Sequence, residues 1–500
     1  MTTLVKDVLN ALNIGNSVAE FDQSLEKYFV ENEAFFSLIN DNADIIAGDK
    51  GTGKTAVYKI LQKRYGGIPE LSGIEVIAGF NPTGNPVFQK LVHQEKLSEG
   101  QYNSVWKTYF LSLIGNWILE FVGEETDESL EKLEKLLKDT NLRSPDDKPA
   151  TIFTKITNLL SNALRPKAAE VEMSISETGL PIVIPRIHFG GQQDNNSNNE
   201  VTHENALRLL NTCLNNLDIT IWVAMDRLDE AFQGNPEVEV PALRALLRVY
   251  LDLLEFDRFK LKLFVRRDLF RKVIGDGFVN LTHINARKKE ILWDEADLLN
   301  LLARRIRDGD KFLDLVDGQG LADEELFYTI FPRKVDQAER KPTTLKWVMS
   351  RIRDGSDVRP PRNLIDLVEF ARQEQLRAES RTPYQLNSAT PLIGSESIRS
   401  AQTRLSNQRV LDTLFAEAGP EISRQIEKFR RAKAEHNESS LANILGQTDA
   451  ELHNTIRNLV SIGFLEELRN TWKVPMLYRD GLEVTQGKAF SSAPSLDDDE

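Results

Sequence analysis

A glycine-rich stretch near the start of the chain has the residue types and spacing of a phosphate-binding loop. Gly48, Gly53, Lys54 and Thr55 fit the pattern G-x-x-x-x-G-K-[ST] without a mismatch. Glycines let backbone N–H groups turn toward an anion, and a following helix adds its positive end. We expect the Lys54 ammonium to reach the β- and γ-phosphates and the Thr55 hydroxyl to take a Mg²⁺ position. The predicted nucleotide-binding residues are therefore Gly48, Asp49, Lys50, Gly51, Thr52, Gly53, Lys54 and Thr55.

A second stretch supplies carboxylates. The apolar run 219–225 ends in Asp226, and Asp229 and Glu230 follow within one turn. A buried strand that delivers acids at its C-terminal end is what metal-assisted phosphoryl transfer requires. We predict that Asp226 holds Mg²⁺ and that Asp229 or Glu230 polarises the attacking water. A strand followed by acids is common in proteins of other functions, and the intact phosphate loop upstream favours the catalytic interpretation.

Arginines follow a further apolar run. Residues 261–265 end in Arg266 and Arg267, and the carboxyl ends of parallel strands form the ligand edge of a sheet. One of these two arginines is predicted to sense γ-phosphate charge, while the other forms an ion pair or faces a neighbouring subunit. Arg359 and Arg362 flank two prolines at the start of a predicted helix, from which they can reach the nucleotide. Solvated surface roles are the alternative for all four.

The elements that position these residues follow from hydrophobic periodicity. Residues 45–47 and 74–80 are predicted strands, and a helix is predicted directly after Thr55. The pattern from about 101 to 162 is helical, and alternating residues within 171–189 indicate a β-hairpin. The fold class is therefore α/β. Residues 41–310 are predicted to form the phosphate-loop core, with a parallel sheet and a helical insertion at about 85–205.

Residues 1–40 are predicted to precede this core as a segment that contacts the nucleotide base. Residues 4–12 have helical spacing, and Ile14, Phe21 and Phe29 are candidate base contacts. Packing of the same apolar side chains in a protein core is the alternative for each.

The C-terminal part is predicted to be a helical lid at 311–435, a winged helix at 436–490 and a disordered acidic tail at 491–500. Two short helices followed by a strand pair within 463–479 give the winged-helix order. Its second helix carries two acids, Asp449 and Glu451, and one arginine. That composition favours a protein-contacting or regulatory winged helix over a DNA-reading one.

Composition limits the class of protein. The net charge of -14 argues against a protein that coats nucleic acid along its whole surface, although a local basic groove is compatible with it. The single cysteine, Cys213, excludes an internal disulfide and a cysteine-rich zinc site. Apolar runs are too short to span a bilayer, and no signal peptide is evident at the start, so we expect a cytoplasmic protein without membrane contact.

The assembled motifs resemble those of bacterial P-loop ATPases of the additional-strand class, near the KAP and STAND NTPases and the AAA+ ATPases of the origin-recognition type. The resemblance covers about residues 10–375. It rests on the segment from Ile14 to Phe29, the phosphate loop, the acids from Asp226 onward, the end of the strand at Arg266, Leu292-Trp293, and the entry to the lid at Arg359. It implies ATP rather than GTP as ligand, with Mg²⁺, because no Asn-Lys-x-Asp guanine motif is present. The large insertion and the lack of a clear trans arginine finger are departures from AAA+ proteins.

Three functional hypotheses follow. The first is an ATP-hydrolysing switch that controls a protein effector or self-associates, with phage defence as the setting that the resemblance implies. The second is a DNA-binding, translocating or loading ATPase, based on the winged helix and the basic stretch 333–381. The third is a protein that keeps a nucleotide permanently as a structural element.

Overall fold

The computed structural model describes residues 4–79, 97–125, 127–143, 147–149, 151–153, 155–156, 202–228, 236–275, 278–383, 386, 391–416 and 418–490, and the backbone of 174–175 and 181–182. Contacts within the chain form two compact units. The first consists of Met1–Val30, Asp49–Gly53 and Leu292–Glu500, and the second of Glu31–Gly48 and Lys54–Ile291.

The strands are β1 (Ile45–Gly48), β2 (Ile74–Ala78), β3 (Ser174–Ile175), β4 (Pro181–Ile182), β5 (Thr220–Met225), β6 (Phe259–Arg266), β7 (Lys288–Glu290), β8 (Lys433–His436), β9 (Glu466–Glu467), β10 (Trp472–Lys473) and β11 (Thr485–Lys488). The helices are α1 (Val5–Ala11), α2 (Leu25–Tyr28), α3 (Glu33–Ile39), α4 (Lys54–Arg64), α5 (Glu99–Val122), α6 (Glu128–Asp139), α7 (His203–Leu217), α8 (Pro236–Leu253), α9 (Arg267–Ile274), α10 (Leu281–Ala286), α11 (Glu295–Arg307), α12 (Asp310–Leu315), α13 (Asp323–Ile330), α14 (Thr344–Arg351), α15 (Pro361–Glu379), α16 (Ser395–Arg409), α17 (Gly419–Glu427), α18 (Glu438–Leu445), α19 (Asp449–Ser461) and α20 (Met476–Arg479), and a π-helix (Val410–Phe415) directly follows α16.

The second unit is built on a parallel sheet of five strands in the order β2-β5-β6-β1-β7. Every residue of β1 is buried, as expected for a central strand of a parallel sheet that is covered on both faces. Strand β6 lies between β1 and β5, so an additional strand separates the strand before the phosphate loop from the strand that ends at Asp226. The sheet confirms the predicted α/β fold.

The helices of the predicted insertion form part of the core of this unit. The ring of Trp106 on α5 lies 4.7 Å from that of Phe153, and the ring of Tyr109 lies 5.3 Å from Phe153. The indole Nε1 of Trp106 donates to the carbonyl of Ala242 on α8 at 2.8 Å. An indole N–H that is buried requires such an acceptor, so this bond fixes α5 against α8.

Charged side chains are buried at the edge of the sheet where the strands begin. Lys262 on β6 is fully buried, and its ammonium donates to Asp44 and Asp41, each at 2.7 Å. The guanidinium of Arg287 binds Asp44 at 2.7 Å, and the hydroxyl of Tyr250 binds it at 2.9 Å. Buried charges are tolerated when they are paired and hydrogen-bonded in this way.

The first unit is a helical assembly into which the N-terminal segment packs. Val8 and Leu9 of α1 join one apolar core with α11 and the helices that follow it. On α11, the buried guanidinium of Arg305 donates to the carbonyl of Ile14 at 2.6 Å, forms an ion pair with Asp22 at 3.0 Å, and stacks over the ring of Tyr28. Burial lowers the pKa of Arg305, although Tyr28 and Asp22 favour its charged form.

The C-terminal elements have the order of a winged helix. Strand β8 precedes the helix pair α18 and α19, and β9 and β10 follow, in a sheet of order β11-β8-β10-β9. The loop before α15 contacts this part closely: the backbone N–H of Gly355 donates to the carbonyl of Gly463 at 2.7 Å, and Arg353 pairs with Glu466 at 3.0 Å.

The structure also corrects several predictions of secondary structure. Residues 476–479, predicted as part of a strand, form helix α20, and residues 433–436 form β8 instead of continuing a helix. Strand β7 was not predicted, because its Lys-Lys-Glu sequence has no apolar alternation. The predicted hairpin is present as the antiparallel pair β3 and β4.

The predicted domain bounds are only partly covered by the described residues. The acidic tail at 491–500, predicted to be disordered, lies outside the described residues. Contacts divide the chain between Ile291 and Leu292, whereas the predicted boundary between core and lid, near 310, stays a prediction. In the part of the chain that the structure describes, no helix has both the length and the apolar character that crossing a bilayer needs.

Candidate functional site

The phosphate loop, residues 48–55, connects the end of β1 to the start of α4. Gly51 and Gly53 have φ values of +79° and +104°, in a region that L-amino acids with a side chain rarely adopt. Lys54 is the first residue of α4, and its ammonium donates to the carbonyl of Gly48 at 2.9 Å. The first N–H groups of α4 have no partner earlier in the helix, which is the arrangement that binds an anion.

The acid predicted to hold the metal lies where the sequence placed it, at the end of β5. Asp226 follows Met225 directly and is only 1% exposed. The next residue, Arg227, has a φ of +56°, so the backbone turns sharply at the acid. Asp229 and Glu230, the candidates for water activation, lie outside the described residues, and their roles stay predictions.

The two arginines at the end of β6 have different partners. Arg266 is level with Gly48 of β1 in the sheet, and its guanidinium makes two hydrogen bonds to Asp268. Arg267 instead pairs through Nε with Glu290 of β7, 3.1 Å away. Both arginines therefore form ion pairs, and Arg266 is the one in register with Gly48 of β1. Which of them senses the γ-phosphate stays a prediction.

The electrostatics around Arg266 favour a charged Asp268. Burial would raise the pKa of this carboxyl group, but hydrogen bonds and charge from Arg266, the N–H of Leu269 and the charge of Lys54 hold the pKa below its usual range. The charge of Lys54 is among these contributions, so the phosphate-loop ammonium helps to keep Asp268 ionised.

The arginines at the lid entry lie in the first unit, with residues 49–53 of the loop. A Cβ atom on Gly51 would stand 3.1 Å from Cβ of Arg362 and 3.4 Å from Cβ of Pro360. The start of α15 therefore lies directly against the loop. Arg359 forms an ion pair with Asp357 at 3.0 Å, and its Nη2 is 4.0 Å from Glu295.

Two further contacts to the loop were not predicted. The indole Nε1 of Trp293 donates to the carbonyl of Thr52 at 2.8 Å, and the ammonium of Lys50 donates to the carbonyl of Asp412 in the π-helix at 3.2 Å. The sequence pair Leu292-Trp293 was noted as a family feature, but its partner is 241 residues away. No local pattern signals the contact of Lys50.

The candidate base contacts of the N-terminal segment differ in exposure. Ile14 and Phe29 are buried, at 1% and 9% exposure, and Ile14 belongs to the apolar core of the first unit. Phe21 is 73% exposed. Ile14 therefore packs in the core, which was the alternative for these residues. A base contact by Phe21 or Phe29 stays a prediction.

A magnesium ion is compatible with the residues at the loop. Mg²⁺ prefers oxygen ligands and keeps several waters, so one or two protein oxygens together with phosphate oxygens are sufficient. The Thr55 hydroxyl and the buried Asp226 carboxylate are ligands of this kind. Among the described residues, no group of three or more His, Cys, Asp or Glu side chains forms a self-sufficient metal site.

Comparison with known proteins finds similar folds at low sequence identity. The chain is similar to a Walker-type ATPase of Pyrococcus abyssi (10% identity, 91% of this chain and 96% of that chain covered, TM-score 0.41). It is also similar to the ORC2 protein of Aeropyrum pernix in ADPNP and ADP complexes (12% identity, 92% of this chain and 96% of that chain covered, TM-score 0.43). A third similar structure is the ORC1 protein of the same organism in complex with DNA (11% identity, 94% of this chain and 96% of that chain covered, TM-score 0.33). No protein-family model matches the sequence, and no curated protein matches it. Likeness at this level identifies neither an activity nor a ligand for this chain.

Proposed function

We propose that the chain binds ATP together with Mg²⁺ and hydrolyses it. The observation that carries the proposal is the carboxyl edge of the parallel sheet, where β1 leads into the phosphate loop and β5 ends in the buried Asp226. A loop that only holds a phosphate needs no acid on a nearby strand, whereas a buried carboxylate there can hold the Mg²⁺ on which phosphoryl transfer depends.

The residues have separate roles in this proposal. The N–H groups of the loop and the Lys54 ammonium bind the phosphates, and Arg266 stabilises the charge that develops on the γ-phosphate. Thr55 and Asp226 would hold Mg²⁺, which supplies neutralising charge to the phosphate oxygens. Asp229 or Glu230 orients the attacking water.

We further propose that hydrolysis operates a switch. The start of α15 and the π-helix contact the loop in the first unit, and the winged helix contacts the segment before α15. A change at the loop therefore has a continuous route of contacts to the winged helix. The proposed output is control of a protein effector or of self-association in the cytoplasm, in a bacterial ATPase near the KAP and STAND classes that acts in phage defence.

The test is ATP turnover by the purified full-length chain, with Lys54→Ala and Asp226→Asn beside it. Each substitution is expected to lower kcat by about 100-fold, since each removes a group that stabilises transferring charge. Asp139→Asn, at an exposed carboxylate at the end of α6, is the matched control and should retain wild-type turnover. Unchanged turnover in Lys54→Ala would refute the proposal, and ADP retained through purification without any turnover would indicate a structural nucleotide instead.

The second candidate is a DNA-dependent ATPase. It is favoured by exposed basic residues in α14 and the segment before it, namely Arg333, Arg340, Lys341 and Lys346. On α19, by contrast, the exposed side chains include Asp449 and Glu451 besides Arg457, so this helix alone is a poor DNA reader.

Turnover with and without double-stranded DNA distinguishes the two candidates. DNA-dependent stimulation that falls steeply between about 50 and 200 mM salt would support the DNA candidate. The double variant Arg340→Ala/Lys341→Ala should then lower the slope of log affinity against log salt by about 2. If DNA neither binds nor stimulates turnover at low salt, the DNA candidate is wrong and the switch that controls a protein effector is favoured.

A further inference from the structure

Trp293 is held firmly at the start of α11. The next residue, Asp294, caps the helix by accepting the N–H of Asp297 at 2.7 Å, and the carboxylate of Asp297 accepts the N–H of Asp294 at 3.4 Å. This reciprocal pair fixes the backbone where Trp293 joins the helix. The ring of Trp293 is half-buried and packs against the apolar core of the first unit.

The only polar atom of the indole is used on the phosphate loop. Nε1 donates to the carbonyl oxygen of Thr52 at 2.8 Å, which is a short, normal hydrogen bond. Thr52 is itself 1% exposed, and its hydroxyl donates back to the carbonyl of Asp49 at 2.8 Å. The carbonyl of Thr52 is thus held by Trp293, a residue far along the chain. The Thr52 hydroxyl meanwhile closes the local turn by its bond to Asp49.

That hydrogen bond fixes the direction of the next N–H group. The peptide between Thr52 and Gly53 is trans and planar, so its C=O and N–H point in opposite directions. A donor that holds the Thr52 oxygen therefore turns the Gly53 N–H away from the indole. Gly53, with its φ of +104° and no neighbouring atom within 4 Å of its absent Cβ, offers little resistance to rotation of this peptide.

We propose that Trp293 is a positioning residue for nucleotide binding: through the Thr52 carbonyl it keeps the Gly53 N–H oriented for the phosphates of a nucleoside di- or triphosphate. The inference rests on the proposed function, because it assumes that the loop takes a nucleotide. Trp293 lies outside the phosphate-loop motif. Its indole N–H acts on the nucleotide only indirectly, by holding the peptide between Thr52 and Gly53.

The test is nucleotide binding and turnover by the full-length chain carrying Trp293→Phe, which keeps an aromatic ring but lacks the donor. Loss of the bond is expected to raise the Kd for ADP and the KM for ATP about tenfold, because a buried carbonyl loses its partner and the peptide can rotate. The Gly53 N–H serves substrate and transition state alike, so kcat should stay within about twofold. Trp347→Phe, a buried tryptophan of the same unit, is the matched control and should leave both constants unchanged. Trp293→Met is the second variant if the first does not fold.

A spectroscopic readout separates positioning from simple packing. In protein labelled with 5-fluorotryptophan, the ¹⁹F resonance that disappears in Trp293→Phe should shift when ADP is added to the wild type. If Kd and KM are unchanged in Trp293→Phe and the Trp293 resonance of the wild type does not shift with ADP, the inference is wrong. Binding of ADP by the wild type would in that case still support the proposed function. Wild-type protein that binds neither ADP nor ATP would overturn both.

Discussion

Arg266 and Asp268 form a two-bond ion pair across the junction between β6 and α9. Nε of the arginine lies 3.0 Å from Oδ1 of the carboxylate, and Nη2 lies 2.7 Å from Oδ2. Since Asp268 keeps its charge at neutral pH, the guanidinium is held in one orientation at the level of Gly48. Two parallel N–H···O bonds of this kind give an arginine a defined geometry, which a phosphate sensor requires.

The first prediction separates the two neighbouring arginines. Arg266→Ala should lower kcat for ATP by about 30-fold, because transition-state charge loses a donor, with a smaller change in KM. Arg267→Ala should leave kcat within about twofold and lower the melting temperature, since it removes the pair with Glu290. Steady-state kinetics and thermal unfolding of both variants give the answer. Equal losses of kcat in the two variants would show that Arg267 also acts on the nucleotide.

The second prediction concerns the backbone of the phosphate loop. Gly53→Ala should weaken ADP binding by at least about tenfold, because a φ of +104° costs a residue with a side chain about 1–3 kcal/mol. No atom lies within 4 Å of the added methyl group, so the effect is conformational and the fold should be retained. Gly66→Ala is the matched control, since its surroundings are equally open and its φ is not positive. Isothermal titration with ADP measures both, and wild-type affinity in Gly53→Ala would contradict the prediction.

The third prediction concerns the buried charges where the strands begin. Asp44→Asn should lower the free energy of unfolding at about pH 7 by roughly 3 kcal/mol, because Lys262 and Arg287 lose a buried partner. Burial would raise the pKa values of Asp41 and Asp44, but hydrogen bonds and charges lower both, from Lys262 and Lys260 at Asp41 and from Arg287 and Lys262 at Asp44.

The lowered pKa values determine the sign of the pH dependence. The stabilisation by each carboxylate is fully present above its unfolded pKa of about 3.9 and is lost as pH falls through the folded value. The wild type should therefore lose stability in acid, and the difference from Asp44→Asn should narrow below about pH 4. Denaturant unfolding across pH measures this, with Asp139→Asn as the exposed control. A difference that stays constant down to about pH 2 would show that Asp44 acts through packing instead of charge.

The fourth prediction concerns the contact between the winged helix and the segment before α15. A Cβ atom on Gly355 would stand 2.5 Å from the carbonyl oxygen of Leu465, closer than two such atoms can approach. Gly355→Ala should therefore separate these two backbone segments and lower the free energy of unfolding by about 1–3 kcal/mol. Hydrogen exchange of the backbone amide at position 355 should become faster. Ser356→Ala, at the exposed neighbouring residue, should leave exchange unchanged. Exchange measured by mass spectrometry tests this, and protection equal to the wild type would mean that the contact does not form in solution.

Local spacing in the sequence was enough for much of the fold and for the phosphate loop. Strand β1, the loop and the start of α4 are contiguous, so their residue types alone predict a phosphate site. Asp226 after β5 was predicted for the same reason, since the end of a strand depends on nearest neighbours. The additional-strand order was expected from the resemblance, and the hydrogen-bonded pairing of β6 with β1 and β5 confirms it.

The choice between similar residues was decided by tertiary structure. Arg266 and Arg267 are adjacent in sequence, and only the position of β7 determines that Arg267 pairs with Glu290. Likewise, Trp293 and Asp412 reach the phosphate loop from positions 241 and 362 residues away. Hydrophobic periodicity shows which face of an element is buried but not which element covers it, so partners this distant appear only when the chain is folded.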